Sequence, residues 1–433
     1  MAKRQRTGIY LRPEVIVRNP GYIEALQEKL GLNLVIIFFA AALPDSVLAK
    51  SPFDGVPLSD ACLEGLLIKH LDGGVVDPLE FDNARSCVGP AVKASAEGTA
   101  EGTAVGSAVD ALRKAGVEIW MCGGCYTERR LMYCPSNPAV NDWLEAVHVH
   151  SATAYDVDGL DITHARYPMG SFPRGLFSCT CDHCRTRARE LGYDMDEMIA
   201  ALMSARERLR QIDGKLLSRA CDLGMGFLDV AQALDLRSGV LDWYRFRADL
   251  LTENLRRFSR AVKSAAGEEM LFGADIHPAS LSLFVGQDHA TFHKFADFAS
   301  PLVSHISAFL CNTLVEWARF LTRENQQIGE PEALRIVYRF LGYDGMGLPE
   351  SIAEYRIDEP QTLAYRIPVQ KLVMRDLVKA RLLLSPELPS YPVIHGEGWP
   401  RDAVDGIVEE SRAVGHDGII WQGTTDLVDF DLK

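Results

Sequence analysis

The chain has 433 residues, of which 47% are hydrophobic and 24% charged, and these proportions exclude a disordered, collagen-like or coiled-coil protein. Its formal net charge of −14 argues against binding to nucleic acid or to an anionic membrane, because no basic stripe offsets it. The length exceeds that of a typical domain of about 150 residues, yet an α/β barrel with insertions reaches it as one unit.

The first residues lack the features of an export signal. Residues 1–8 are basic, but they run into Ile9-Tyr10-Leu11 without an apolar core of signal-peptide length. The longest apolar run, residues 34–43, has about half the length that a bilayer span needs. We therefore expect a cytoplasmic protein with no membrane association. Its ten cysteines would be reduced there, so that a cysteine cluster indicates metal binding.

Short apolar segments alternate with amphipathic helical segments along most of the chain. Eight of the apolar segments are predicted strands, and the second of them, residues 34–39, has an apolar run typical of a strand that is buried on both faces. These predicted strands are residues 8–11, 34–39, 117–121, 157–164, 269–276, 302–309, 391–395 and 418–422. Helices are predicted at 21–30, 108–115, 141–155, 290–298 and 402–414, and a flexible Gly/Ala/Thr/Ser loop is predicted at 94–107.

Eight strands with helical crossovers predict a single α/β domain over residues 1–433, a (β/α)8 TIM barrel. Residues 185–266, after strand four, are rich in Arg, Glu, Leu and Ala at helical spacing and predict an inserted helical segment. Residues 311–388, after strand six, mix helix and loop patterns and predict a second insertion. The inserted helices are candidate surfaces for a homo-oligomer. An open doubly wound sheet shares the alternation, but no glycine-rich phosphate fingerprint follows the first strand.

The polar residues that follow the predicted strands define a candidate active site, because barrels carry their active sites at the C-terminal ends of the strands. Two carboxylates beside aromatic rings suit glycosidic-bond cleavage, in which one donates a proton to the leaving oxygen and the other attacks or activates water. Asp161, on strand four, is the predicted general acid/base, and Glu397, after strand seven, is the predicted nucleophile or second carboxylate. A helix cap or a salt bridge explains either residue alone equally well. The residues expected to contact the sugar include His164, Arg166, Asp275, His277, Trp399 and Trp421.

Two other functions are compatible with the same residues. Oxygen and nitrogen donors from different strand ends hold Mn²⁺ or Mg²⁺ in barrel enzymes, which makes a sugar isomerase or lyase the second hypothesis. The donors would be Asp161, Asp275, His277 and Glu397. A barrel that binds sugar without turnover is the third hypothesis, because a fold does not determine a reaction.

Cys179, Cys181 and Cys184 form the sharpest local pattern in the chain. Three thiols within six residues can converge on one tetrahedral ion, and a fourth ligand would complete a structural zinc site. On spacing alone, the candidates for the fourth ligand are Cys122, Cys125, Cys134 and His183. The alternative is three packed or free cysteines, because the pattern C-x-C-x-x-C is less common than paired C-x-x-C motifs.

Short motifs are spread along the chain from strand three onward. They are Tyr133-Cys-Pro-Ser-Asn-Pro138, Tyr155-Asp-Val-Asp-Gly-Leu-Asp161, Arg166-Tyr-Pro168, Val285-Gly-Gln-Asp288, Ala296-Asp297 with Ser300-Pro301, and Gly415-His-Asp-Gly-Ile-Ile-Trp421. Together with the three clustered cysteines, they resemble a group of TIM-barrel proteins similar to family-10-like glycosylhydrolases. The resemblance implies a carbohydrate or glycoside substrate.

The cysteine pattern is also similar to that of zinc-bearing bacterial β-galactosidases. In those enzymes a Cys in a Cys-Pro-Asn-Ser-Pro-like segment joins a later Cys-x-Cys-x-x-Cys on zinc. The similarity implies that Cys134 is the fourth ligand here and that Arg129 or Arg130 faces the substrate. Those enzymes carry an Asn-Glu pair at the end of strand four, with the Glu as proton donor, whereas this chain carries Asp161 in Gly-Leu-Asp-Ile-Thr-His.

Overall fold

The computed structural model describes residues 5–38, 43–53, 56, 65–69, 71, 100–128, 131–168, 175–357, 359–424, 426–430 and 432. The strands are β1 (Arg6–Leu11), β2 (Leu34–Phe38), β3 (Glu118–Gly124), β4 (Thr127–Glu128), β5 (Leu131–Met132), β6 (Gly159–Thr163), β7 (Leu271–Ile276), β8 (Phe298–Pro301), β9 (Val393–His395) and β10 (Gly418–Gln422). The helices are α1 (Pro13–Arg18), α2 (Tyr22–Leu30), α3 (Asp45–Leu48), α4 (Ala100–Lys114), α5 (Pro138–Thr153), α6 (Asp182–Glu190), α7 (Met195–Gln211), α8 (Gly214–Leu223), α9 (Phe227–Ala233), α10 (Ser238–Ala266), α11 (Asn312–Glu324), α12 (Glu330–Leu341), α13 (Val369–Leu383) and α14 (Arg401–Ala413).

Eight of the strands form one parallel sheet in the order β8-β7-β6-β3-β2-β1-β10-β9. The two ends of this order meet at a parallel bridge between Ala299 and Ser390. There the Ala299 amide donates to the Pro389 carbonyl and the Tyr391 amide donates to the Ala299 carbonyl, both at 2.9 Å. The sheet therefore curls into a nearly closed ring with flanking helices. The predicted (β/α)8 TIM barrel is confirmed.

Alternate residues of each strand point to opposite sides of the barrel wall. The inward-pointing side chains form one buried apolar cluster, which includes Leu34, Ile36, Trp120, Phe298 and Ile420. The outward-pointing side chains pack against the helices in a second and larger cluster. This alternation decides which residues of a strand can reach a site inside the barrel.

A layer of aromatic and charged side chains fills the barrel near the N-terminal ends of the strands. The rings of Trp120 and Phe298 stack with their centroids 3.9 Å apart. Arg6 lies over the Trp120 ring at 5.3 Å and donates to Glu118 at 2.9 Å. The second carboxylate oxygen of Glu118 accepts from the Trp120 indole at 2.9 Å. The opposite end of the barrel, where the strands finish, is therefore the place for a substrate.

Three predicted elements differ from the structure. The sixth strand is β8, four residues before the predicted 302–309, and a π-helix at Ile306–Cys311 covers the end of that range. The apolar run is buried as a helical segment, which an apolar pattern alone does not distinguish from a strand. The predicted helix at 290–298 is a short 3₁₀ helix, His289–Lys294.

The predicted flexible loop at 94–107 also differs from the structure where it is described. Residues 100–107 belong to helix α4, and residues 94–99 lie outside the described residues. Val105, Ala108, Val109 and Leu112 are buried along one face of this helix. The tract is helical because its apolar residues recur at helical spacing and can be buried on one face. This burial stabilises the helix more than its Gly residues destabilise it.

Helices occupy most of the two ranges that the sequence predicts as insertions. The first contains α7, α8, α9 and α10, and the second contains α11, α12, two 3₁₀ helices and α13. Helix α10 packs against α5 and α7, while α11 packs against α12. None of the helices in the described ranges is both long and apolar enough to cross a bilayer.

Candidate active site and metal centre

Three side chains from three strands meet inside the barrel. The hydroxyl of Tyr10, on β1, lies 2.6 Å from Oδ2 of Asp161, on β6, and 3.0 Å from Oδ1 of Asp275, on β7. It donates to this pair, and the two carboxylate oxygens therefore lie within about 6 Å of one another. Both carboxylates point inward because the residues before and after each of them point outward into the helix-facing core. The alternation along β6 and β7 therefore directs the Asp161 and Asp275 carboxylates to the same region inside the barrel.

Burial and mutual repulsion change the acidity of this pair. The pKa of Asp161 is raised well above its ordinary value, first by burial and then by the charge of Asp275, although hydrogen bonds from Tyr10 and Ser300 oppose the shift. Burial also raises the pKa of Asp275, to about 6, against hydrogen bonds from Thr163 and Tyr10. Burial therefore raises the pKa values of both carboxyls, and the charge of Asp275 raises that of Asp161 further. Two carboxylates this close disfavour ionising together, so the pair favours a state in which one carboxyl holds a proton and the other is ionised.

Four histidines stand at or just beyond the C-terminal ends of β6, β7, β8 and β9. Burial is the first cause that lowers their pKa values, to about 3 for His164, to about 4 for His395 and well below 6.5 for His277 and His305. All four rings are therefore neutral near pH 7. Within the described part of the structure, Nε2 of His277, Nδ1 of His305 and Nε2 of His395 are buried without a hydrogen-bond partner. Neutral imidazoles with unused nitrogens suit a ligand rich in hydroxyl groups.

Aromatic rings extend this region into a continuous wall. The Phe309 ring stacks against His277, with centroids 4.2 Å apart, and against His305, with centroids 5.1 Å apart. His305 contacts His395 edge to face at 5.1 Å, and His395 stacks on Trp399 at 5.7 Å. Phe309 reaches the wall because the π-helix after β8 carries it there. Such flat faces match the apolar faces of sugar rings.

The end of β6 contains a residue in an unusual backbone conformation. His164 has a φ of 57°, in the left-handed region, which costs a non-glycine residue about 1–3 kcal/mol. Its carbonyl accepts from the amides of Tyr126 at 3.3 Å and Arg166 at 2.9 Å. The buried Arg166 also adds its positive charge next to His164 and His277, and this charge contributes to lowering their pKa values. Strain of this kind concentrates at functional sites.

The two carboxylates that the sequence analysis paired, Asp161 and Glu397, lie in different surroundings. Glu397 is exposed beyond the end of β9, next to Gly423, and its charge acts on Tyr22 and His395. Among the described residues, the acid whose charge raises the pKa of Asp161 is Asp275. Asp275, which the sequence analysis expected to contact the sugar, is thus the carboxylate that interacts with Asp161.

The other predicted contact residues are distributed unevenly. His164, Arg166, His277 and Trp399 all lie in or beside the wall. Trp421 instead is buried in the core between strands and helices, because alternation along β10 turns it outward. Arg129 and Arg130 lie outside the described residues.

Sequence reasoning missed Tyr10, His305 and Phe309. Gln422, which the sequence places at the end of strand eight, hydrogen-bonds through its side chain to His305. Tyr10 is the only polar side chain in the predicted strand 8–11, and this isolated hydroxyl could have indicated a functional residue. His305 and Phe309 were hidden because the segment 302–309 was assigned to a strand interior.

Four cysteines form a separate cluster near the mouth-side loops. The ligand atoms of Cys134, Cys179, Cys181 and Cys184 all lie within 4.8 Å of one another. Sγ of Cys134 is 3.6 Å from the sulfurs of Cys181 and Cys184, which are 3.7 Å apart. Thiolates about 2.3 Å from a tetrahedral ion are about 3.8 Å apart, whereas a disulfide needs about 2.05 Å. The spacing therefore fits a metal site, with Cys134 as the fourth member.

Three chain segments hold the cluster. The Ile68 amide donates to the Met132 carbonyl at 2.8 Å and the Cys134 amide donates to the Leu66 carbonyl at 2.9 Å, which pairs residues 65–69 with 131–134. The Lys69 amide points at the Cys179 sulfur, 3.5 Å away. These backbone contacts fix the sulfurs before any ion binds.

A buried arginine braces the third segment. The Arg247 guanidinium donates to the carbonyls of Gly175, Leu176 and Ser178, and it lies 4.2 Å from the centre of the Tyr167 ring. Burial lowers the pKa of Arg247 to about 10, while the charges of the nearby cysteines oppose that shift. The positive charge of Arg247 would partly offset the negative charge of Cys179 and Cys184 if the cluster held a metal ion.

No protein-family model and no curated protein matches the chain. The glycoside hydrolase domain of PgaB (BpsB) from Bordetella bronchiseptica is similar in structure, with a TM-score of 0.48 and 10% identity over 97% of this chain and 94% of that chain. The catalytic domain of beta-amylase from Paenibacillus polymyxa gives a TM-score of 0.40 and 8% identity over 99% and 94%. The beta-glucosidase 1317 gives 0.37 and 10% over 94% and 78%. The resemblances to family-10-like glycosylhydrolases and to zinc-bearing β-galactosidases noted from sequence stay predictions.

Proposed function

We propose that the protein is a glycoside hydrolase in which Asp161 is the general acid and Asp275 is the nucleophile or general base. The observation that carries this proposal is the buried carboxylate pair bridged by Tyr10. A glycosidase needs one protonated and one ionised carboxyl at the same pH, and a buried pair in which the charge of Asp275 raises the pKa of Asp161 suits this division of roles. A separation within about 6 Å favours the retaining class, whose carboxyls lie about 5–5.5 Å apart.

The surroundings of the pair support a carbohydrate substrate. The wall formed by His277, Phe309, His305, His395 and Trp399 offers flat faces to a sugar ring. Its unpartnered imidazole nitrogens offer hydrogen bonds to hydroxyl groups without adding charge. A divalent-metal isomerase or lyase is less well supported. Among the described residues, the four cysteines are the one set whose possible ligand atoms lie close enough together to bind a single metal ion. The described acids and histidines at the barrel mouth do not form such a set.

The cysteine cluster would hold a structural zinc ion. Four thiolates with tetrahedral spacing and no open position are typical of structural zinc rather than of Mg²⁺ or Ca²⁺, which bind oxygen donors. The ion would tie residues 65–69 and 131–134 to the segment that begins at Cys179. Its role would be to order loops beside the barrel mouth, since the carboxylate pair provides the acid and the base.

The proposal is tested by variants of three carboxylates assayed on a panel of aryl glycosides. We expect Asp161→Asn and Asp275→Asn each to lower kcat/KM by more than about 10³-fold. Asp161→Asn should retain more activity on a substrate whose leaving group has a low pKa, because such a leaving group needs no proton donor. Asp275→Asn should lose activity on every leaving group alike. Asp376→Asn is the matched control, because Asp376 is an equally buried acid on α13, outside the site.

Each other outcome identifies a different function. Wild-type activity in either mouth variant would refute the roles assigned here. Loss of turnover in Glu397→Gln, with Asp275→Asn active, would make Glu397 the second carboxylate. Saturable binding of a sugar without turnover across the panel would support the non-catalytic barrel.

A further inference from the structure

Two consecutive helices expose an unusual amount of apolar surface. Leu216 and Leu223 on α8 are 65% and 79% exposed, and Phe227 and Leu228 on α9 are 69% and 77% exposed. Together these side chains present on the order of 500 Å² of apolar surface. An apolar area of this size is at the upper end of what soluble monomers expose, and the largest such areas are often functional. We call these four residues the α8–α9 patch.

Helix α8 is apolar on two opposite faces. Leu217 and Cys221 are buried on the side that packs against α12, where Arg339 donates to the Cys221 carbonyl at 3.2 Å. Leu216 and Leu223 are seven residues apart, so they lie on one face, roughly opposite the buried one. A helix with two apolar faces requires two partners, and the protomer supplies one.

Helix α9 has still less support within its own chain. None of its seven residues is buried. Its described anchors are at its ends, where Arg208 donates to the Ala233 carbonyl at 3.0 Å and the Gly226 amide donates to Asp229 at 2.8 Å. A helix this short is not stable in water without packing. Phe227 and Leu228 therefore lack the contact that would stabilise the helix they begin.

We propose that the α8–α9 patch binds the same patch of a second copy of this chain, in a two-fold symmetric dimer. The charged residues that flank the patch in sequence are nearly balanced although the chain carries −14, because Lys215 and Arg219 are basic and Asp213, Asp222 and Asp229 are acidic. Two copies can therefore approach here with little of the repulsion that the net charge imposes elsewhere, and a two-fold axis lets the same apolar side chains of both copies face one another. The four apolar side chains of both copies together provide about 1,000 Å², which is the lower limit for a specific interface. The pairing does not depend on the reaction proposed for the barrel.

The experiment is sedimentation equilibrium of the full chain over a range of concentrations, with variants that make the patch polar. We expect the wild type to be a dimer and Leu223→Ser/Phe227→Ser to raise the dimer Kd by more than about 100-fold. Both positions are exposed, so circular dichroism and the melting temperature of the monomer should change little. Leu382→Ser is the matched control, because Leu382 on α13 is 78% exposed and lies outside the patch.

Hydrogen exchange locates the interface independently of the variants. Amides of residues 214–236 should become protected as the wild-type concentration rises through the Kd, while the double variant should show no such protection. A wild type that stays monomeric at all concentrations overturns the proposal. So does a dimer whose Kd the double variant leaves unchanged, because such a dimer would use another surface.

Discussion

A single hydroxyl adjusts the acidity of both carboxylates at the barrel mouth. Hydrogen bonds from Tyr10 lower the pKa values of Asp161 and Asp275, in opposition to burial. In Tyr10→Phe this opposition disappears, so the pKa of Asp275 should rise above about 6. The reaction needs ionised Asp275, and activity increases as pH rises through its pKa. We therefore expect the acidic limb of the kcat/KM profile to move to higher pH by about one unit.

The measurement is kcat/KM between pH 4 and pH 9 for wild type and Tyr10→Phe. The rate ratio between the two proteins should approach about tenfold at pH 4 to 5, below both pKa values, and should shrink toward pH 8 as Asp275 ionises in both. A limb that stays in place, or that moves to lower pH, would mean that Tyr10 does not control the ionisation of the pair.

A second residue affects stability and not chemistry. His148, on α5, is buried beside the Phe258 ring, and neither ring nitrogen has a hydrogen-bond partner in the described structure. Burial lowers its pKa from 6.5 to about 4. The folded state thus disfavours the protonated form, so stability is retained above pH 6.5 and lost as pH falls toward 4. The loss attributable to this residue reaches about 3 kcal/mol.

We expect His148→Leu to remove that pH dependence. At pH 7 the variant should be as stable as wild type or more so, because it eliminates two unsatisfied buried nitrogens. At pH 4 it should be more stable than wild type by about 3 kcal/mol, measured by urea unfolding at both values. An equal loss of stability with pH in both proteins would contradict the assignment.

The sequence could predict which residues lie at the ends of strands. It could not predict which residues of neighbouring strands interact with one another. Asp161 and His277 were expected at the mouth because the strand pattern placed them there. The partnership of Asp161 with Asp275 depends on the alternation and register of β6 and β7, which are exact only in three dimensions. Glu397 follows its strand in sequence, but the chain beyond β9 turns it to the surface.

At the scale of elements, the cysteine cluster joins a hairpin, a helix start and the short segment 65–69. Cys134→Ser should abolish metal binding, because three thiolates and one hydroxyl hold zinc poorly. We expect one zinc per wild-type chain by elemental analysis, and a variant that is less stable by about 3 kcal/mol or more, since it loses the free energy of ion binding. A strong chelator should lower the wild-type melting temperature toward that of the variant.

Cys221→Ser is the matched control, because Cys221 lies on α8 outside the cluster. It should keep the full zinc content and respond to the chelator as the wild type does. A reduced wild-type protein without metal, or a Cys134→Ser variant that melts like the wild type, would contradict the zinc proposal.

Element types were predictable where an apolar pattern had one interpretation. The C-x-C-x-x-C spacing indicated a metal site but left four candidates for the last ligand. The resemblance to zinc-bearing β-galactosidases indicated Cys134, and the fold brings Cys134 to the other three cysteines. The run at 302–309 was ambiguous because a buried helical turn and a buried strand are equally apolar. The tract at 94–107 was assigned from its composition, although the described part has helical periodicity.

At the scale of the whole molecule, eight alternating units were enough to predict the barrel, because few architectures bury eight parallel strands on both faces. Closure of the barrel depends on how the side chains in its interior pack. Gly273 on β7 pairs with Phe298 on β8, and a Cβ at this glycine would overlap the Phe298 ring, which stacks on Trp120. The barrel interior is therefore full at the point where β7 and β8 meet.

We expect Gly273→Ala to lower the free energy of unfolding by about 1–3 kcal/mol, because the filled interior cannot take another methyl group without moving a strand. Gly106→Ala in α4 is the matched control: its Cβ would meet nothing within 4 Å, and alanine should stabilise the helix by about 0.5–1 kcal/mol.

Gly273 also pairs directly with Asp161 across β6 and β7. A displaced β7 would carry Asp275 away from Asp161, so kcat should fall even in the fraction of Gly273→Ala that remains folded, and Gly273→Ala/Phe298→Leu should recover both quantities. Wild-type stability and kcat in Gly273→Ala would show that the barrel wall yields freely at this position and that the carboxylate pair does not depend on it.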